Sequence, residues 1–261
     1  MPNAISKEWD ALKSTLRNLD RQTITVLTTA ALFVIFHHEY GSRTFFRSLF
    51  AGNADIANEA LLQWTWWFGG QFIAGFVLPV SILLFVFKNK PSKIGLGLGD
   101  WKLAIGLAAL YVPAVLIGCW VLSNDADFLS KYPHHSEAAR SWSVFLIFEA
   151  IFVLYWIGWE YLWRGYVLFG TAKTFGVYAI FVQALPFAVL HINKPFEEAI
   201  LSIVGAIALG ALVWRCRSFW IAVPIHAFQM LAIDFFCSIR SRSGVDGLGL
   251  DDLVEALSRS F

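Results

Sequence analysis

Charge is scarce in this chain. Asp, Glu, Lys and Arg together make up 15% of its 261 residues, whereas 57% are hydrophobic. A water-soluble domain of this length carries far more charge, so the shortage excludes an ordinary soluble protein and implies a polytopic membrane protein. Cysteine is rarer still. Cys119, Cys216 and Cys237 stand singly within or beside apolar runs, without CxxC or ligand-like spacing, and read as buried, unreactive thiols. A net charge of +1 gives no basis for a nucleic-acid partner. The first twenty residues are polar rather than an apolar core with a small-residue cleavage site, so no cleavable signal peptide is expected. Two hydrolase signatures are missing as well. The absence of HExxH excludes the zincin arrangement, and no serine stands in a nucleophile-elbow context.

Long apolar runs are what the chain has in abundance. After an amphipathic, mixed-charge stretch from Ser6 to Arg21, suited to a membrane surface, they recur at Thr23–Phe36, Leu61–Phe87, Leu103–Leu122, Trp142 to about Phe169, Phe175–His191, Ala199–Trp214 and Phe219–Cys237. Several are long enough to cross a hydrocarbon core of about 30 Å. Only helices satisfy the backbone in lipid for such runs, so the fold expected is an all-α transmembrane bundle of seven or eight spans, with residues 1–261 as one membrane domain and the lipid bilayer as its partner. Twelve Trp and twenty-four Phe suit lipid-facing surfaces, and Trp64, Trp66 and Trp67 read as interfacial anchors. Lys13, Arg17, Arg21, Lys88, Lys90, Lys93, Lys173, Arg215 and Arg217 fall on one side if each run crosses once. That side is assigned to the cytoplasm, which places a cytoplasmic N-terminus in a bacterial inner (plasma) membrane.

Against this apolar background a few polar residues stand out. Glu160 and Arg164 are four residues apart, on one helix face, inside the fourth run. His191 and His226 follow singly in later runs. Counted from the cytoplasmic turns at the helical rise, Glu160 lies roughly 18 Å deep, His191 roughly 26 Å, His226 roughly 12 Å and Asp234 roughly 24 Å, differences that tilt absorbs. Glu149 lies three turns from Glu160 on the same face and is expected to line the same cavity. His37, His38, His134 and His135 stand at run ends and read as surface residues. Charges inside a membrane usually have a purpose. One reading has Glu160 deprotonate a trapped water while an imidazole stabilises the oxyanion on a scissile carbonyl. Another has Glu160, His191 and His226 hold a divalent metal such as zinc with one open position. Others are a structural Glu160–Arg164 pair, or a proton relay in a transporter.

These residues resemble the CPBP family of intramembrane proteases, which includes type II CAAX prenyl endopeptidases and abortive-infection membrane proteins. Of its EExxxR motif, Trp159-Glu160-Tyr161-Leu162-Trp163-Arg164 keeps the second Glu and the Arg, followed by Gly165. Phe187-Ala188-Val189-Leu190-His191 matches FxxxH, and His226 alone matches HxxxN, with Met230 in place of Asn. The resemblance covers a core of about residues 142–238. It implies an endopeptidase acting on a membrane-associated or prenylated protein or peptide, with Glu160, Arg164, His191 and His226 as site residues. Trp159 stands where the family has its water-activating Glu, so Glu160 is the candidate base, and Gln229 or Asp234 the candidate replacement for the Asn. Glu198 belongs to Lys194-Pro195-Phe196-Glu197-Glu198, a pattern that accompanies the Trp-Glu form of the first motif. The loss of the first Glu leaves a second class open, a non-catalytic membrane adaptor or immunity protein.

Overall fold

The structure is a computed structural model that describes residues 2–261. Among these every regular element is helical. Helix α1 (Pro2–Arg17) meets α2 (Arg21–Tyr40) at 91°, and α1 keeps Ile5, Trp9, Leu12 and Leu16 exposed along one stripe. Six further helices are long and apolar enough to cross a membrane: α3 (Ala60–Val86), α4 (Trp101–Leu122), α5 (Trp142–Gly170), α6 (Ala172–Val189), α7 (Phe196–Cys216) and α8 (Phe219–Ser243). The α1–α2 pair qualifies only as a bent unit, giving up to seven candidate spans, and no described helix supplies an eighth. Each expected run lies in one of α2–α8, except that the fifth stops at Val189 and leaves His191 in the turn that follows. An amphipathic helix, α9 (Leu250–Ser260), closes the chain against α8.

Helix α5 is the centre of the bundle. Ser141 caps it by accepting the Val144 N–H, satisfying one of the orphan donors of its first turn. Phe145, Phe148, Phe152 and Trp156 recur at helical spacing and are buried, and every residue from Gly158 to Gly170 is buried. On one side α5 packs on α3, where the rings of Phe68 and Phe152 stack at 4.5 Å. That packing is close because both helices lack a side chain at the crossing. A Cβ on Gly75 would strike the carbonyl of Gly158, and a Cβ on Gly158 would strike the carbonyl of Gln71. Small residues bring membrane helices together because dispersion, not water, drives their association.

After Glu160 the helix widens into a π-helical segment, Tyr161–Val167. The Tyr161 ring occupies the space that a side chain at position 165 would take, so Gly165 is what lets it turn inward onto Phe219. Such single-turn π segments are frequent at functional sites.

Both ends of the bundle are tied by polar contacts. At one, Asp20 caps α2 through the Thr23 N–H and pairs with Lys173 at 2.9 Å, and that ammonium holds the Asp20 carboxyl below its ordinary value. At the other, the buried Arg240 guanidinium stacks on Trp120 and donates to Ser123 Oγ and to the carbonyls of Val245 and Gly247.

Three surface assignments are overturned. His37 is buried, its Nε2 donating to the Trp67 carbonyl at 2.9 Å. His135 is buried and His134 half-buried, because the 123–141 connection folds over the ends of α3 and α5 and packs them on Trp64 and Phe148. Trp64 is itself core rather than an anchor, with Arg43 over its ring at 3.9 Å. Replacing Gly158 by Ala should destabilise the protein by about 1–3 kcal/mol in a detergent unfolding titration, since overpacking forces α3 and α5 apart. Gly118→Ala in α4, where a Cβ meets open space, should not. Equal stability of the two variants would contradict the contact.

Candidate active site

The fourth run delivers Glu160 to the last regular turn of α5 with no exposure at all. Two donors reach the same carboxylate oxygen. Arg164 donates to Oε1 at 3.1 Å, and His226 Nδ1 lies 2.6 Å from it. His226 sits near the start of α8 with its ring 4.2 Å from that of Trp156, a wall that fixes the imidazole plane. Because Oε1 already accepts from Arg164, it accepts from His226 too, so Nδ1 carries the proton and Nε2 is left as an acceptor.

The second motif builds the floor. The Phe187 carbonyl accepts from His191 Nδ1 at 2.7 Å, one helical turn on, which again leaves Nε2 without the proton. The Phe187 ring carries the Arg164 guanidinium at 4.1 Å and lies 4.6 Å from the His191 ring and 6.2 Å from that of His226. One phenylalanine therefore sets the spacing of three polar side chains. The FxxxH spacing was the sequence signal for this, but nothing in it foretold the guanidinium stacked above.

A cavity of about 490 Å³ opens in front of this group. Arg164, Phe187, His191, His226, Gln229 and Glu198 line it, and the remaining wall is mostly aliphatic side chains of α4 and α7. Several of these, including Leu107, Leu201 and Val204, are exposed on the outer surface of the bundle, so the cavity borders the lipid side between α4 and α7. Gln229 accepts from the Tyr111 hydroxyl at 2.9 Å, across from α8 to α4. Tyr111, a lone hydroxyl in an aliphatic run, is a site residue that the sequence reading missed. At the rim, Glu198 accepts from the Tyr132 hydroxyl at 2.6 Å and pairs with Lys194 at 3.4 Å, while Lys194 also reaches Tyr132 Oη and His134 Nε2. Burial pushes the His134 imidazole well below its ordinary value, so it meets the ammonium as a neutral acceptor.

Three expectations for the site change. Glu160 does not line the cavity: it stands behind the His226 ring, with Oε2 buried and without a hydrogen-bond partner among the described residues. Glu149 and Asp234 are also absent from the cavity wall, and both Asp234 oxygens and Glu149 Oε1 are buried without a hydrogen-bond partner among the described residues. The zinc set does not form either. Among the described residues no three His, Cys, Asp or Glu side chains are placed to hold a metal, because Glu160 is turned onto His226 and Arg164 and leaves two imidazole nitrogens alone.

Comparison with known proteins adds one finding. Residues 140–232 match the family described as type II CAAX prenyl endopeptidase Rce1-like, a stretch that includes Glu160, Arg164, Phe187, His191 and His226 and stops short of Asp234. No curated protein and no solved structure matches the chain. The segment that builds the buried Glu160–His226 pair and most of the cavity floor thus lies within the stretch similar to the Rce1-like, type II CAAX prenyl endopeptidase family.

Proposed function

We propose that this protein is an intramembrane endopeptidase that hydrolyses a peptide bond of a prenylated or otherwise membrane-held protein. The observation that carries this reading is the 2.6 Å bond from His226 Nδ1 to a fully buried Glu160, on the wall of a cavity that His191 also lines. In this arrangement His226, rather than Glu160, is the base. Its Nε2 accepts a proton from a water in the cavity, and Glu160 stabilises the imidazolium that results, as a buried carboxylate does behind a catalytic histidine. The hydroxide adds to the scissile carbonyl. Arg164 lines the cavity with donors beyond the one given to Glu160, and its positive charge opposes the developing oxyanion. His191 Nε2 helps to hold the attacking water, and the proton on His226 passes to the leaving amine. The apolar wall between α4 and α7 suits a substrate chain that arrives through lipid.

One observation favours a second reading, a non-catalytic adaptor on the same fold. Trp159 occupies the place of the first Glu of the motif, its indole packs 6.2 Å from the His191 ring, and among the described residues no carboxylate hydrogen-bonds to that imidazole.

The two readings separate in one assay, in which nanodisc-reconstituted protein is given a fluorogenic peptide with a farnesylated cysteine near its C-terminus. The endopeptidase reading expects cleavage by the wild type and a fall of about 100- to 10,000-fold in kcat/KM for Glu160→Gln and for His226→Ala, with the double variant no worse than the singles. Full activity of Glu160→Gln would remove the dyad, and peptide binding without cleavage by the wild type would favour the adaptor. Arg164→Lys tests the fork separately. Lysine keeps the charge but loses the planar stack on Phe187, so kcat should fall with the folded yield in membranes retained. Unchanged kcat in that variant would make the guanidinium dispensable.

A further inference from the structure

Helix α4 grips α8 at one residue of the cavity wall, Gln229. The Tyr111 hydroxyl donates to Gln229 Oε1 at 2.9 Å, and the Cys119 thiol donates to the Gln229 main-chain carbonyl at 3.7 Å. Tyr111 stands between Leu110 and Val112 with its ring 40% exposed on the outside of the bundle, and Gln229 is the one polar partner of its hydroxyl among the described residues. A side-chain amide has an acceptor at one end and two donors at the other. Tyr111 engages the acceptor end and so fixes which way the amide is turned. The two N–H bonds of Nε2 meet no partner among the described residues.

A peptide that enters a mostly aliphatic cavity leaves water behind, and its main-chain carbonyls then need donors. The cavity has few to give. The hydroxyls of Tyr111, Tyr132 and Ser202 and the thiol of Cys119 are spent on protein acceptors. His191 and His226 each spend Nδ1 on Phe187 and Glu160, which leaves their Nε2 atoms as acceptors. Of the side chains on the wall, Arg164 and Gln229 alone keep N–H bonds to offer, and Arg164 is placed at the scissile carbonyl in the reaction above. Gln229 follows His226 by three residues, so the two are neighbours on one helix face, about 5–6 Å apart at Cβ. An extended chain advances about 3.3 Å per residue. We propose that Gln229 Nε2 donates to a main-chain carbonyl of the substrate one or two residues from the scissile bond, and that Tyr111 is the positioning residue that holds the amide in that orientation. No covalent bond changes at this subsite, and its effect is on binding. The assignment rests on the peptide-binding reading of the cavity given above.

The test measures affinity rather than cleavage. His226→Ala protein in nanodiscs, which leaves the peptide intact, is titrated with the farnesylated peptide by fluorescence anisotropy. Adding Tyr111→Phe or Gln229→Met should raise Kd about three- to tenfold, the worth of one net hydrogen bond. Tyr111→Phe should add nothing once Gln229→Met is present, because the two act through one contact. A farnesyl methyl thioether carries the chain without a peptide carbonyl, and as a competitor it should bind all four proteins alike. An unchanged peptide Kd in Tyr111→Phe, additive losses in the double variant, or equal weakening of peptide and thioether would overturn the proposal, and so would a reference protein that does not bind the peptide. Tyr111→Phe deletes one oxygen from a partly exposed ring and serves alone if Gln229→Met does not fold. Absence of cleavage by the wild type with these Kd shifts intact would count against the endopeptidase and leave the subsite standing.

Discussion

A single carboxylate oxygen organises the interior of this protein. Glu160 Oε1 accepts from both Arg164 and His226, with the Glu160 and Arg164 side chains all but fully shielded from solvent. In such surroundings a charge is tolerable only when it is paired and hydrogen-bonded, and removing one partner of a buried pair costs about 3–5 kcal/mol. The rest of the site follows from satisfying that oxygen. Arg164 must lie one turn beyond Glu160, His226 must arrive from α8, and the guanidinium must rest on the Phe187 ring. Phe187 in turn anchors His191 through its carbonyl. The π-helical widening after Glu160 and the missing side chain at Gly165 are the local backbone features around which this packing is built.

The spans were legible in the sequence because lipid imposes a simple rule, long apolar runs, and each expected run lies in one of the helices α2–α8. The pairing of Glu160 with Arg164 was legible too, from four-residue spacing alone. What the sequence could not convey is direction. Glu160 was expected to face the cavity as the base, yet it points behind His226. A helical wheel assumes a constant angle per residue, and that angle changes in the π segment that starts at Tyr161. Glu149 and Asp234 were expected at the cavity wall and are absent from it. The burial of His134 and His135 depended on how the 123–141 connection folds back, a tertiary event with no periodic signature.

The polar residues divide by place. Arg164, His191 and His226 meet the apolar cavity beside the lipid-facing helices α4 and α7. Lys194, Glu198, Tyr132 and His134 close its rim, joining the connection before α5 to the turn after His191. Glu149 and Asp234 lie behind the wall. The cavity thus presents hydrocarbon at its outer edge, between α4 and α7, and the two imidazoles at its inner wall. Trp159, packed against the His191 ring, puts an indole rather than a carboxylate beside that imidazole. The chemistry proposed therefore leans on the Glu160–His226 pair.

The state of His226 tests that pair most directly. Nitrogen-15 solid-state NMR of histidine-labelled protein in lipid, with signals assigned by His226→Gln and His191→Gln variants, reports which ring nitrogen bears the proton. The structure requires neutral His226 to carry it on Nδ1, and this nitrogen should shift when Glu160 becomes Gln while the His191 nitrogens stay in place. A proton on His226 Nε2, or a His226 Nδ1 signal unmoved by Glu160→Gln, would contradict the account.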